Sequence, residues 1–149
     1  MKTSHSESQI QDHIDQTLSA LSDGAEAFYR EPLKKILQEL NLSPQNTHRV
    51  LEIGAGIGSI TDVLSPYPEL IATDLNPERV EHLKLRFKDR PNIQAHVWDA
   101  TQDHENPLTP QCVARGDFDL LVAFNVLEHL ADHEQALRNW GRLLKPNGT

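Results

Sequence analysis

The sequence has one cysteine, few basic residues and no long apolar run. Cys112 alone cannot form an internal disulfide, which indicates a reducing cytoplasm. Lys and Arg total 14 against 22 Asp and Glu, a formal net charge of -8, and the basic cluster of a nucleic-acid-binding protein is missing. No stretch approaches the roughly 18 apolar residues of a membrane span, and residues 1–16 lack the apolar centre of a signal peptide. We expect a cytoplasmic protein that binds neither nucleic acid nor a membrane.

The chain divides into three segments by composition. Residues 1–8 carry almost nothing that could be buried and are expected to form a disordered lead-in. Residues 9–44 hold two amphipathic patterns, the second with Pro32 in its first turn, and are expected to form a helical cover or, as the alternative, a lid over a site. The apolar face of this second helix comprises Leu33, Ile36, Leu37 and Leu40. Residues 45–149 then alternate between strand and helix patterns.

This alternation predicts an α/β, Rossmann-like, doubly wound parallel sheet. The expected strands, in the spatial order 3-2-1-4, are Arg49–Ile53, Leu70–Asp74, Ile93–Trp98 and Phe118–Val126. Asn76 followed by Pro77 predicts the start of one helix. Asp132 with Gln135 resembles a capping box for the last helix, whose buried face is expected to include Leu137.

Polar or glycine-rich residues follow all four expected strands. Ligands of such sheets bind at the carboxyl ends of the strands. The first strand ends in Gly-x-Gly-x-Gly, which lets the backbone approach a ligand closely because glycine has no side chain. The polar strand ends are Glu52–Gly58, Asp74, Asp99-Ala100 and Asn125–His129. The pattern therefore predicts a nucleotide-type site.

A nicotinamide dinucleotide fits the first turn poorly. Its fingerprint, Gly-x-Gly-x-x-Gly/Ala, requires glycine or alanine where this chain has Ser59. Glu52 would disfavour a pyrophosphate but could hold a cationic ligand. A nicotinamide-dependent reductase stays as an alternative by fold analogy alone.

Several segments, in order, resemble the motifs of the class I S-adenosylmethionine-dependent methyltransferases. The first is Leu51-Glu52-Ile53-Gly54-Ala55-Gly56-Ile57-Gly58. The others are Ala72–Pro77, Trp98-Asp99-Ala100, Phe118–Leu130 and Leu143–Gly148. The resemblance extends from residue 49 to the end and implies S-adenosyl-L-methionine as the cofactor.

The resemblance also implies a role for each strand end. Asp74 would accept hydrogen bonds from the ribose hydroxyls, Leu75 would pack on the adenine, and Asp99 would accept from the adenine amino group. The glycine turn and Glu52 would face the methionine portion. The full set of implied cofactor contacts is Glu52, Gly54, Ala55, Gly56, Gly58, Asp74, Leu75, Asp99, Ala100 and Asn125. The alternatives are a solvated charge before a helix for Asp74 and a surface carboxylate for Asp99.

Catalysis would need little beyond alignment of the acceptor and exclusion of water. A base is required only if the acceptor must lose a proton early, and Glu128 and His129 are the nearby candidates; their other interpretation is that they fix the loop before the last helix. We expect no metal site, since His129 and His133 lack an evident third ligand. The Leu-Glu-His-Leu sequence at 127–130 resembles family members acting on small molecules.

The sequence departs from the family at its end. The family's sheet normally has seven strands, and Thr149 stands where the fifth would begin. Strand four would then be a long, apolar, unpaired edge. Truncation of a larger methyltransferase is the expectation; the alternatives are a partner chain or dimer covering that edge, or a non-catalytic or partner-dependent S-adenosylmethionine-binding module.

Overall fold

The computed structural model describes residues 28–149. The expected lead-in of residues 1–8 and the first amphipathic pattern lie outside this range. The described helices are α1 (28–39), α2 (Ser59–Leu64), α3 (Pro77–Arg86), α4 (His133–Gly141) and a 3₁₀ turn (Leu127–His129). The strands are β1 (Arg49–Ile53), β2 (Glu69–Asp74), β3 (Ile93–Val97) and β4 (Leu120–Ala123). Within these residues no helix has the length and apolar character to cross a membrane.

The four strands form one parallel sheet in the order β3-β2-β1-β4. Leu51 of β1 lies opposite Ile71 of β2 and Leu121 of β4. The chain moves outward to β2 and β3 and then crosses to the other side of β1. The strand order therefore reverses beside β1, where ligands bind in sheets of this class. The predicted fold class and strand order are confirmed.

Helices cover both faces of the sheet, because successive side chains of a strand point to opposite faces. Leu51 and Ile53 pack in one buried cluster with Trp140 of α4. Val50 packs on the other face with residues of α1 and α2. Farther along that second face, α3 contributes Val80 and Leu83, and Phe87 follows directly after the helix. Each fully buried aliphatic side chain of this kind stabilises the fold by about 1.5–3 kcal/mol.

Side chains and backbone conformation fix the helix ends. The Asn76 side chain accepts from Glu78 N at 2.8 Å, with proline at the first helical position. Asp132 caps α4 by accepting from Gln135 N at 2.9 Å. Both predicted caps are confirmed, although the Gln135 side chain donates to Asn139 instead of completing a capping box.

Several predicted details of the elements are wrong. Residues 28–31 are already helical, so Pro32 lies beyond the first turn of α1. Half of the predicted α1 stripe is exposed, with Ile36 at 47% and Leu40 at 55%, and Leu137 of α4 is 52% exposed. Strand β4 is shorter than expected because the backbone turns into a left-handed conformation at Asn125 (φ 53).

The outer edge of β4 is partly paired, which corrects the expectation of a long unpaired edge. Phe118 forms a parallel bridge with Leu144. Thr149 N donates to Asp119 O at 3.0 Å, and Leu121 N donates to Thr149 O at 2.8 Å. The turn after α4 thus brings the last described residues alongside the beginning of β4.

Asp119 links the beginning of β4 to β1 and to the turn after α4 by hydrogen bonds. Its carboxylate accepts from the backbone nitrogens of His48 and Arg49 at 3.1 and 2.8 Å and from Lys145 Nζ at 2.9 Å. Burial acts to raise the pKa of Asp119, but these hydrogen bonds and the Lys145 charge outweigh it and leave the pKa below its ordinary value.

Candidate cofactor site

A glycine turn, residues 54–58, leads from β1 into α2. Gly54, Gly56 and Gly58 have φ values of 72, 57 and 98°, a left-handed region that residues with a side chain rarely adopt. Ala55 N donates to Thr73 O at 2.9 Å, and Gly58 N donates to Ala55 O at 3.0 Å. The turn is therefore ordered by its own backbone and by β2.

Neighbouring side chains leave no room for a Cβ atom at two of these glycines. At Gly54 a Cβ would lie 2.5 Å from Cγ2 of Val126, in the segment after β4. At Gly58 it would lie 2.7 Å from Phe87 and 2.9 Å from Leu83. The turn is thus packed between the end of β4 and helix α3. The motif alone does not indicate these packing partners.

Asp74 joins the end of β2 to the glycine turn. Its side chain is 6% exposed; Oδ2 accepts from Gly56 N and Oδ1 from Asn76 N, each at 2.9 Å. Arg79 Nη1 lies 3.9 Å from Oδ2. Since a carboxylate can accept about four hydrogen bonds, the two backbone donors leave acceptor capacity for ligand hydroxyl groups. Beside it, Leu75 is 66% exposed and offers an apolar surface at the same edge.

Asp99 and Ala100 follow β3, one strand farther from β1 than Asp74. Asp99 accepts from the hydroxyl and the backbone nitrogen of Thr101 at 2.7 and 3.0 Å. The Thr101 hydroxyl, with lesser help from its amide and from Gln102, keeps the pKa of Asp99 below its ordinary value although the carboxyl is partly buried. The Ala100 carbonyl accepts from the indole of Trp140 at 2.8 Å, which anchors this segment to α4.

Glu52 is buried on the face of the sheet covered by α2, and it is 2% exposed. Its Oε2 accepts from the Thr61 hydroxyl at 2.7 Å, and its carbonyl accepts from the Thr73 hydroxyl at 2.9 Å. The Glu52 side chain thus contacts α2 through Thr61. Nothing in the local pattern predicts the Glu52–Thr61 pair, because the two residues are nine positions apart.

The segment after β4 completes this edge of the sheet. Asn125 is exposed and has a left-handed backbone, which asparagine tolerates better than most residues. Glu128 and His129 are exposed in the 3₁₀ turn.

Two other kinds of site find no support in the described residues. Burial raises the pKa of Cys112, which disfavours the reactive thiolate. In the described range no three His, Cys, Asp or Glu side chains are grouped to hold a metal ion.

The site therefore combines three features at the carboxyl edge of the sheet: the backbone of the glycine turn (residues 54–58, called the cradle below), the buried carboxylate of Asp74 and the exposed apolar side chain of Leu75. Asp74 and the segment after β4 both contact the glycine turn, while Asp99-Ala100 lies beyond β2. Backbone amides and a carboxylate at a strand-order reversal can bind the hydroxyl and polar groups of a nucleoside.

The chain is similar to several known proteins in sequence and in fold. The hybrid PKS-NRPS synthetase mpsA of Macrophomina phaseolina is 34% identical over 136 residues, 83% of this chain and 3% of that protein. The carbon methyltransferase CurJ has a TM-score of 0.64 and 26% identity, covering 83% of this chain and 32% of that structure. The trans-methyltransferase CalH, solved in complex with SAH, has a TM-score of 0.63 and 28% identity, covering 83% and 37%.

The chain thus spans a small part of the proteins it matches. A family model described as a methyltransferase domain matches residues 51–149, which is about two thirds of the chain and includes the glycine turn, Asp74 and Asp99. Because this match covers more than half of the chain and agrees with the sheet order, the resemblance to class I S-adenosylmethionine-dependent methyltransferases is confirmed: the chain belongs to the methyltransferase domain family.

Proposed function

We propose that this chain binds S-adenosyl-L-methionine at the carboxyl edge of its sheet and transfers the methyl group to a small-molecule acceptor. The observation that carries the proposal is the hydrogen bond from Gly56 N to the buried Asp74 carboxylate, which fixes the cradle beside an acceptor of hydroxyl groups. The close packing at Gly54 and Gly58 fixes the glycine turn against Val126 on one side and against Leu83 and Phe87 on the other. Bound there, the cofactor would supply an electrophilic methyl group on a sulfonium.

The proposed contacts follow the positions of the residues. Asp74 would bind the ribose hydroxyls, Leu75 would cover the adenine, and Asp99 would accept from the adenine amino group with the Ala100 backbone beside it. The remaining proposed contacts, around the methionine portion, are Glu52, Gly54, Ala55, Gly56, Gly58 and Asn125. Orientation and exclusion of water would contribute most of the rate.

A base becomes important if the acceptor is a carbon atom. CurJ is a carbon methyltransferase by name, which supports carbon methylation as the first reaction to test. A saturated carbon acceptor must lose a proton before it can attack the methyl group. Glu128 and His129 are exposed just after β4 and are the proposed candidates for this step.

A partner-dependent S-adenosylmethionine-binding module is the second candidate. It is supported by β4, whose outer pairing in the described residues reaches only Leu121. A partner chain or a second copy would cover the rest of that edge. Methyl transfer that appears only when a partner is added would favour this candidate over an enzyme that works alone.

We also propose that residues 45–149 form the cofactor-binding domain and residues 9–44 a helical cover. The single cysteine supports a cytoplasmic location. Expression of residues 45–149 alone, followed by ligand titration, tests whether the proposed cover is needed for binding.

Calorimetric titration with S-adenosylhomocysteine tests the cofactor. We expect saturable heat with a stoichiometry of about one and a rise in melting temperature, because a ligand that binds only the folded state stabilises it. NADH, titrated in parallel by fluorescence quenching, should not bind. A folded sample that responds to NADH and not to S-adenosylhomocysteine would overturn the proposal.

A further inference from the structure

We propose that Arg86 is a positioning residue for the glycine turn, an inference that rests on the cofactor binding proposed above. Arg86 is the last residue of α3. Its Nη1 donates to the Ile57 carbonyl oxygen at 2.8 Å, and its Nη2 donates to Oδ2 of Asp62 at 2.6 Å. One side chain from α3 therefore holds both the glycine turn and α2.

The peptide group between Ile57 and Gly58 is held on both sides. Its carbonyl accepts from Arg86, and its N–H donates to Ala55 O at 3.0 Å. The Gly58 carbonyl in turn accepts from Asp62 N at 3.0 Å. Because a peptide group is planar, fixing the direction of its carbonyl also fixes its N–H. Loss of Arg86 would release one side of this peptide.

The arginine side chain suits this position better than lysine would. Its planar guanidinium directs donors at two acceptors simultaneously, whereas a lysine ammonium is a single point charge on a flexible stem. The guanidinium carbon also lies 5.5 Å from the ring centroid of Phe87, the residue that packs against Gly58. Asp62 accepts additionally from Arg30 of α1 at 3.3 Å, which ties the same carboxylate to a third helix.

The glycine turn is thus held from two sides. Asp74, at the end of β2, accepts from Gly56 N, and Arg86, at the end of α3, donates to Ile57 O. The turn is therefore fixed both to the proposed ribose carboxylate and to the far end of the helix that follows it. Preorganisation of this kind raises affinity because less ordering remains to be done when the ligand binds.

The test compares Arg86→Gln and Arg86→Lys with Arg138→Gln. Arg138 is a matched control, because it forms an exposed ion pair with Glu134 within α4. Hydrogen exchange of the backbone amides at 54–59 reports on the turn without any ligand, and titration with S-adenosylhomocysteine reports on the cofactor.

We expect Arg86→Gln to speed exchange at Gly58 and to raise the Kd for S-adenosylhomocysteine about tenfold, as for the loss of one hydrogen bond to a charged group. Arg86→Lys should recover part of both effects, and Arg138→Gln should match the wild type. Unchanged exchange in Arg86→Gln would overturn the inference, and so would faster exchange with unchanged affinity. If the wild type fails to bind S-adenosylhomocysteine, the proposed function fails, while the exchange measurement alone still decides whether Arg86 holds the turn.

Discussion

Replacing Asp74 by asparagine changes one oxygen atom at the centre of the proposed site. Both carboxylate oxygens accept from backbone amides, Oδ2 from Gly56 N and Oδ1 from Asn76 N. An asparagine amide has one oxygen and one NH₂ group. Whichever way the amide is turned, its NH₂ faces a backbone N–H, so one of the two hydrogen bonds is lost.

The size of the effect follows from burial. The Asp74 side chain is 6% exposed, but its two backbone donors are only partly buried, so the cost of leaving one unpaired lies at the lower end of the range of about 1–3 kcal/mol for a buried donor. We expect Asp74→Asn to lower the free energy of unfolding by about 1 kcal/mol. For a chain of this length that corresponds to a fall in melting temperature of roughly 3 °C. Asp89→Asn, the same exchange at an exposed position, should leave the melting temperature unchanged.

Ligand binding separates the structural role from the proposed ribose contact. Below the melting transition, we expect Asp74→Asn to weaken S-adenosylhomocysteine binding by about 1.5–3 kcal/mol. A 2′-deoxy analogue lacks one partner of the proposed contact. Wild-type protein should therefore prefer the parent compound over the analogue, and Asp74→Asn should lose most of this preference. An equal preference in both proteins would refute the assignment of Asp74 to the ribose.

Two further predictions concern stability. Gly58→Ala should destabilise the fold by about 1–3 kcal/mol more than Gly116→Ala in urea unfolding. Both positions have positive φ, but of the two only Gly58 has side chains, those of Leu83 and Phe87, within 3 Å of the added methyl group. Equal effects would show that backbone strain alone matters. Asp119→Asn should make the free energy of unfolding less sensitive to acid. The folded-state pKa of Asp119 is depressed, so the carboxylate stabilises the fold above the ordinary carboxyl pKa of about 4. This stabilisation disappears as pH falls through the lower folded-state pKa. If the free energy of unfolding falls by the same amount in wild type and variant between pH 6 and pH 2.5, this role of Asp119 is contradicted.

The regular parts of the fold were predictable because local patterns determine them. The short apolar run of β1 indicates a strand buried on both faces, and Asn76 and Asp132 each cap a helix a few residues away. The carboxyl edge of the sheet could likewise be located from the glycine turn and Asp74. These features depend on neighbours in sequence or on the general geometry of parallel sheets.

The remaining features depend on contacts between distant segments. The apolar run around β4 gives no sign that the strand stops at Ala123 and that Asn125 turns to positive φ. The pairing of Thr149 with β4, the Thr61 hydroxyl on Glu52 and the reach of Arg86 to Ile57 each join residues that no periodicity relates. Arg86 lies at the end of an amphipathic helix, where an arginine is usually explained by solvent exposure and the helix dipole.

The anchoring of Ala100 by Trp140 has a spectroscopic consequence. The chain has two tryptophans: Trp140, whose indole donates to Ala100 O, and Trp98, whose indole donates to Thr109 Oγ1 at 3.2 Å. Both rings are buried, and they flank the segment proposed to bind the adenine. All of the indole emission of these 149 residues therefore originates next to the proposed adenine-binding segment, so that tryptophan fluorescence reports on that region without any added label.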